Sequence, residues 1–372
     1  MQPCLRKRFM DETAPSAGLT AQNGPPQASF GLQSLIGARA AQEDSVTVAP
    51  CGSGTLYGVF DGHGGAAVST YLKHHMAEHV CTALRGAASG SGEAAAMSLA
   101  FRAADAAVSA GTDGGSTAVV VLISKERIVC ANCGDSRAVL SSTNGIVELS
   151  IDHKPDLDSE EARISACGGR VVHTCSGARV MGMLAMTRAI GDRFLRPFGV
   201  IPEPDVKVQA RGPGDEFLII ASDGLWDVIS SVESVSIVRR CFERACGKGA
   251  SRLAGTRIAA RVLARAAIGK GSRDNTTVLV VDLQPAETPG PQQQLPGDVQ
   301  AEAAAAVDAT LASVPLTAAS AFSAARAPET LPSLAQALSG KLSEALVQQQ
   351  QQLLCRVASA TSSGSLLVRL AS

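Results

Sequence analysis

The sequence predicts an α+β fold, with antiparallel strands layered as a sandwich and helices outside. Three observations predict it. Strand-like and helix-like patterns alternate from Phe30 to about Leu283. The strands read as continuous apolar runs, such as TLYGVF and EFLIIAS, which belong inside a covered sheet. They are followed by short turns and hairpin-like returns, as in RIVCANCGDSRAVLSS, which favours antiparallel pairing over a parallel doubly wound sheet.

Taken in order, TLYGVF leads into the helical pattern Ala66–Gly86, and a second helical pattern covers Glu93–Gly111. RIVCANC and RAVLSS form a hairpin-like pair, and a short helix over Ser159–Cys167 stops at Gly168 and Gly169. EFLIIAS precedes helices over Val232–Ala245 and Gly255–Gly269, and TTVLVV closes the body. With 372 residues and 45% apolar content, the chain supports one large domain with a tail. Residues 1–27 read as a flexible leader and 28–285 as the domain. Residues 286–372 read as a Pro/Gln linker and an Ala/Gln-rich low-complexity tail, disordered or partly helical.

Composition excludes several classes. A net charge of −1 gives no basic surface for nucleic acid. No run of about 18 uncharged apolar residues is present, so no membrane span is expected. The N-terminus lacks the apolar core of a secretory signal, while an organelle transit peptide stays open. Ten scattered cysteines suggest reduced thiols in an intracellular protein of the cytoplasm, the nucleus or both. Cys130 and Cys133, three apart in a strand, would face opposite sides and serve packing. His74, His75 and His79 read as surface histidines on a helix, and Trp226 as core.

The chemistry is concentrated in a recurring pattern. Apolar strands end at Asp61-Gly62, at Gly134-Asp135 and at Asp223-Gly224, while Asp274-Asn275 opens another, and Glu43-Asp44 adds a fifth acidic point. One such aspartate is ordinary turn chemistry. Together they suggest one polyacidic site at a sheet rim. Clustered carboxylates stay ionised only beside a cation, and all-oxygen ligands select Mg²⁺, Mn²⁺ or Ca²⁺. Two such ions can activate a water and clamp the oxygens of a displacement at phosphorus. In VFDGHGG (59–65), Asp61 is placed to bridge two ions, and Gly62 lets its carbonyl approach one of them. His63 is placed to donate a proton, and Gly64 and Gly65 to turn into the helix. No GxGxxG and no GxSxG are present, so dinucleotide and serine-nucleophile schemes lack support.

These residues resemble the metal-dependent protein phosphatases of type 2C. The resemblance runs through GARAAQED (37–44), VFDGHGG (59–65), GSTAVVVLI (115–123), ANCGDSRAVL (131–140) and DHKPD (152–156). It continues through ARISACGGRV (162–171), LAMTRAIGD (184–192), FLIIASDGLWDVIS (217–230) and SRDNTTVLVV (272–281). It implies a central β-sandwich of two antiparallel sheets flanked by α-helices, and hydrolysis of phosphoserine and phosphothreonine without a phosphoenzyme. The nucleophile would be a water bridging two Mn²⁺ or Mg²⁺ ions. Asp61 would bridge the ions, Glu43 and the Gly62 carbonyl would complete one, and Asp223 and Asp274 would hold the other. Asp135 with Asp223 would take a weaker third. Arg39 would grip the phosphate, His63 would be the general acid, and Asp44 and Asn275 would orient ligands or water.

The run 177–206 resembles the plant branch whose members are inhibited by abscisic acid receptors. The flap position where that branch carries a tryptophan is Cys175 here, so hormone-receptor control is not expected. Phosphoproteins are the expected partners of a monomer. A non-catalytic regulator on the same fold is the competing reading, and a missing Asp61, Asp223 or Asp274 would have favoured it.

Overall fold

A computed structural model describes residues 28–86, 92–108, 113–175 and 177–284. The leader, most of the linker and the tail named above lie outside the described residues. In chain order the elements are β1 (Phe30–Leu35), β2 (Ser45–Cys51), β3 (Gly54–Phe60), β4 (Gly62–His63), α1 (Ala67–Gly86), α2 (Gly92–Ala107), β5 (Gly115–Ser116), β6 (Ala118–Ile123), β7 (Arg127–Cys133), β8 (Arg137–Ser142) and β9 (Gly145–Glu148). They continue with α3 (Asp158–Ala166), β10 (Val171–Thr174), β11 (Gly177–Val180), β12 (Ile190–Gly191), a 3-10 turn (Arg193–Phe198), β13 (Asp205–Ala210), β14 (Asp215–Ala221), α4 (Asp223–Trp226), α5 (Ser231–Gly247), α6 (Arg252–Gly269) and β15 (Thr276–Asp282).

Two five-stranded sheets form the sandwich, in the orders β1-β15-β14-β8-β9 and β13-β7-β6-β3-β2. Every strand pair within them is antiparallel. The inner strands β3, β6, β7, β8, β14 and β15 are buried on both faces, which explains their unbroken apolar runs, while the edge strands β1, β9 and β13 are partly exposed. In β14, Leu218 and Ile220 join Leu279 and Val281 of β15 in the sandwich interior, facing Tyr57, Val59, Val119 and Val121 of the other sheet. The alternate residues Phe217, Ile219 and Ala221 turn outward onto α5 and α6. Likewise Leu56 and Phe60 turn outward onto α1 and α2. The expected sandwich with outer helices is present.

Local signals place the helices. Ser230 and Ser251 cap α5 and α6, accepting from the backbone N–H of Glu233 and Ala254. Helix α2 stops at Ala107, short of the predicted Gly111. Helix α4, a single turn inside DGLW, is too short to leave a periodic signal.

Cys130 packs between the sheets and Cys133 on the helix side, as their odd spacing predicts. Burial pushes the Cys130 thiol up to about 12, so it stays protonated at neutral pH. The expectation of reduced thiols is corrected at one pair: Cys51 of β2 and Cys81 of α1 form a disulfide, with Cα atoms 5.5 Å apart. They lie 30 residues apart, and the pairing follows from packing of α1 on β2, which no sequence spacing signals. Trp226 is core, its indole N–H donating to the Ala221 carbonyl at 2.9 Å. On α1, His74 and His75 are exposed and His79 is half-buried against the Tyr71 hydroxyl.

Candidate active site

Sheet direction gathers the acids. β3 and β7 both run antiparallel to β6, so their C-terminal ends share one rim. Asp61 follows β3, and Asp135 follows β7 after Gly134. In the other sheet β14 ends, and its antiparallel neighbour β15 begins, at one edge, which places Asp223 beside Asp274. The two rims meet where Ser222 Oγ, just after β14, donates to Asp44 Oδ2, just before β2, at 2.9 Å.

Hydrogen bonds of both backbone and side chain fix the acids and the residues beside them. Asp61 N–H donates to Thr117 Oγ1 at 3.0 Å, and that hydroxyl meets Ser136 Oγ at 2.7 Å, next to Asp135. Asp44 accepts from Ser222 Oγ at 2.9 Å, next to Asp223. Asn275 accepts from Glu43 N–H at 2.7 Å and donates to the carbonyls of Ile36 and Ala41. It thereby ties the loop carrying Arg39 and Glu43 to the start of β15. Gly62 N–H donates to the Glu43 carbonyl at 3.2 Å, and a Cβ at Gly62 would lie 2.6 Å from that oxygen. Only glycine allows this approach. Gly64 and Gly65 have φ of +68° and +112° and make the turn into α1.

The electrostatics are those of a carboxylate cluster short of positive charge. Burial, with Asp44, Asp223 and Asp135 nearby, pushes the Asp61 carboxyl well above the usual range. Burial and then Asp135 and Asp227 do the same to Asp223. Asp44 is raised to about 6, chiefly by burial. One oxygen of each of Asp44, Asp135 and Asp223 is buried without a hydrogen-bond partner. Orphaned anionic oxygens at this density fit hard divalent cations.

Two cationic side chains stand among the acids. Arg39 Nη2 lies 2.5 Å from Asp274 Oδ2, and Lys154 Nζ lies 2.5 Å from Asp135 Oδ2. Among the described residues no three His, Cys, Asp or Glu side chains are drawn together as a ready metal site. The candidate acids are neighbours at the rim without forming a closed coordination sphere. These two pairings occupy oxygens that a cation would take.

The protein phosphatase 2C family pattern matches residues 30–276. The chain belongs to the protein phosphatase 2C family. Protein phosphatase 2C 50 of Oryza sativa subsp. japonica is 41% identical over 270 residues, covering 62% of this chain and 69% of that protein. Protein phosphatase 2C 56 of Arabidopsis thaliana is 37% identical over 298 residues, 69% of this chain and 68% of that one. The fold agrees with a C. elegans sex-determining protein, at TM-score 0.63 and 25% identity over 70% of this chain and 65% of that one. It also agrees with the serine-threonine phosphatase 2C of Toxoplasma gondii, at TM-score 0.60 and 24% identity over 70% of this chain and 96% of that one. This type 2C phosphatase is thus a plant-type protein serine/threonine phosphatase.

Three residues in contact with the candidate site residues, or acting on them by charge, were not read from the sequence. Asp227, the residue just after α4, follows Asp223 by four residues, and its charge acts on both Asp223 and Asp135. The i,i+4 spacing inside DGLWD was the available signal. Lys154, in DHKPD, is the counter-charge of Asp135. Asp192, in AIGD, lies 2.6 Å from His63 Nε2, and at 129 residues' separation only the fold discloses it.

Proposed function

We propose that this phosphatase hydrolyses phosphoserine and phosphothreonine in proteins by direct attack of water, with no phosphoenzyme. The supporting observation is the set of buried, partnerless carboxylate oxygens that both sheets bring to one rim. Asp61, Glu43, the Gly62 carbonyl, Asp223 and Asp274 would hold two Mn²⁺ or Mg²⁺ ions, and Asp135 with Asp223 and Asp227 a weaker third. Bound there, the ions supply charge neutralisation for the phosphate and a water of lowered pKa. Arg39 pairs with Asp274 at 2.5 Å. Once Asp274 takes a cation as partner, the guanidinium fork is free to grip phosphate oxygens. His63 donates a proton to the departing serine or threonine oxygen. Asp44 and Asn275 orient their neighbours.

We place the protein as a monomer acting on phosphoproteins of the cytoplasm or nucleus, within the domain 28–285. Abscisic acid receptors are not among its partners in this reading, because the exposed flap position offers Cys175 in place of an aromatic anchor. Among the described residues no helix is long and apolar enough to cross a membrane.

The test is phosphate release from a phosphothreonine peptide by the full-length chain, with Mn²⁺, with Mg²⁺ and with excess EDTA, beside Asp61→Asn. Metal-dependent release that the variant lacks is the expected result. No release with either metal from a folded protein would turn the reading to a non-catalytic regulator.

A further inference from the structure

His63 does not stand alone. Its Nε2 lies 2.6 Å from Asp192 Oδ2, and Asp192 is 2% exposed. The backbone of Asp192 sits in the left-handed region at φ +46°, a conformation that residues other than glycine seldom adopt. Two hydrogen bonds hold it there directly, and two more fix the residues beside it. Asp192 N–H donates to the Gly114 carbonyl at 3.1 Å, and Leu195 N–H donates to the Asp192 carbonyl at 2.9 Å. Gly191 N–H donates to Asp105 Oδ1 at 2.8 Å, and Arg196 clamps the same oxygen at 2.5 Å.

The small sheet β12-β5-β4 explains how the pair meets. Gly191 pairs with Gly115 on one side, and His63 pairs with Gly115 on the other. Gly115 is therefore the strand position between the two side chains. A Cβ there would lie 2.2 Å from Asp192 Oδ2 and 2.6 Å from His63 Nε2. The chain gives up a side chain at that point, and the space it leaves is filled by the contact. A surface ion pair needs neither the strained backbone nor the emptied strand position.

We propose that Asp192 is the positioning residue of His63, fixing the ring so that Nε2–H is donated to the Asp192 carboxylate and Nδ1 is the nitrogen that serves the substrate. The proposal rests on the reading of His63 as proton donor. A carboxylate only accepts, so Nε2 must be the donor of this bond. Nδ1 is buried and has no hydrogen-bond partner. In the reaction the water oxygen bonds to phosphorus and the bond from phosphorus to the serine or threonine oxygen breaks. The electron pair stays on that oxygen, which takes the Nδ1 proton. The ring is left neutral as its Nε2–H tautomer, still bonded to Asp192, and Asp192 itself takes no proton.

The experiment compares phenyl phosphate, a poor leaving group, with p-nitrophenyl phosphate, a good one, using the full-length protein saturated with Mn²⁺. Asp192→Asn is expected to lower kcat about thirty-fold on phenyl phosphate and about three-fold or less on p-nitrophenyl phosphate, with KM unchanged on both. The double variant with His63→Gln is expected to be no slower than His63→Gln alone. Equal losses on both substrates, or losses that multiply in the double variant, would make Asp192 a purely structural residue and overturn the proposal. If His63→Gln itself shows no leaving-group preference, the donor assignment fails and takes the proposal with it. If His63→Gln shows the preference and Asp192→Asn does not, the positioning role alone fails. Should Asp192→Asn not fold, the wild-type protein still decides. Its ¹⁵N histidine spectrum, assigned by difference with His63→Gln, is expected to show the Nε2–H tautomer in the neutral ring. The Nδ1–H tautomer would overturn the proposal.

Discussion

Lys154 holds its ammonium 2.5 Å from Asp135 Oδ2, on a carboxylate whose residue is fully buried and whose other oxygen has no hydrogen-bond partner. The lysine is thus a tethered cation at the position where a weaker third metal ion is proposed. Lys154→Gln should tighten Mn²⁺ binding at the Asp135-dependent site by about tenfold, the equivalent of about 1.4 kcal/mol of removed competition. It should also cost the metal-free protein about 1–3 kcal/mol, because a buried carboxylate loses its counter-charge. Calorimetric titration with Mn²⁺ and a urea melt in EDTA measure the two effects. Unchanged Mn²⁺ affinity would mean that the lysine and the ion do not share the site.

The same charge balance sets function against stability. Asp61 and Asp223 are both pushed up by burial and by neighbouring carboxylates. Removing one of these charges relieves repulsion that only a cation otherwise relieves. Asp223→Asn should therefore stabilise the metal-free protein by an amount on the order of 1–3 kcal/mol, seen as a higher melting point. The variant should gain less than the wild type from saturating Mn²⁺, where a ligand at a hundred times its Kd adds about 2.7 kcal/mol. Melting curves with EDTA and with Mn²⁺ check both. A metal-free variant less stable than the wild type would show that Asp223 is already compensated.

How much of this was legible in the sequence follows from the physics of each part. Asp61, Asp135 and Asp223 were legible because each sits where an apolar run meets a glycine, and Asp274 because it opens such a run; that pattern is local. The helices other than the single turn α4 were legible from period 3.6, to within a few residues. Which side of each strand faces the sandwich was not, since both faces are apolar in β3 and β14 and alternation vanishes. Contacts between distant segments were equally hidden. Asp192 reaches His63, and Cys51 reaches Cys81, only through the way strands and helices stack. Lys154 was visible as a residue of DHKPD, but its task depends on where Asp135 turns.

A buried ionic network ties α3 to β13 of the sandwich and should make this contact acid-sensitive. Glu160 of α3 is 1% exposed, and it receives hydrogen bonds from Arg163, Arg188 and Thr187. Burial alone would raise its pKa, but these bonds outweigh it and hold the carboxyl well below the usual range. Asp205 is lowered to about 2, first by its bond to His153 and, against the opposing effect of burial, by Arg188. Folded pKa values below the unfolded 4.5 and 3.8 mean that the unfolded chain binds more protons in acid. The stabilisation is thus complete above pH about 5 and is lost as pH falls through the folded values. Glu160→Gln should cost about 3–5 kcal/mol at pH 7, by stranding two arginines, and the gap to wild type should narrow near pH 3. Urea midpoints at the two pH values measure it. A gap that stays constant would remove the network from the acid response.

The last prediction concerns the layer that carries the rim. Leu218 is fully buried in the sandwich interior, between Leu140 of β8 and Val281 of β15 in the strand register. It sits on β14, which ends one residue before Ser222 and two before Asp223. Leu218→Ala should cost about 2–5 kcal/mol, since neighbours from two sheets cannot close the cavity together. Its effect on turnover should be small at a temperature where the variant is folded, because β14 keeps its hydrogen bonds to β8 and β15 and so keeps the strand end in place. Urea melts give the stability, and phosphate release at 15 °C and 35 °C separates the two effects. A large loss of kcat at the lower temperature, with the fold intact by circular dichroism, would show that interior packing tunes the position of Asp223 directly. A stability loss under about 1 kcal/mol would show that the sandwich interior repacks around the truncation, and that the acids are held by their backbone hydrogen bonds more than by the layer beneath them.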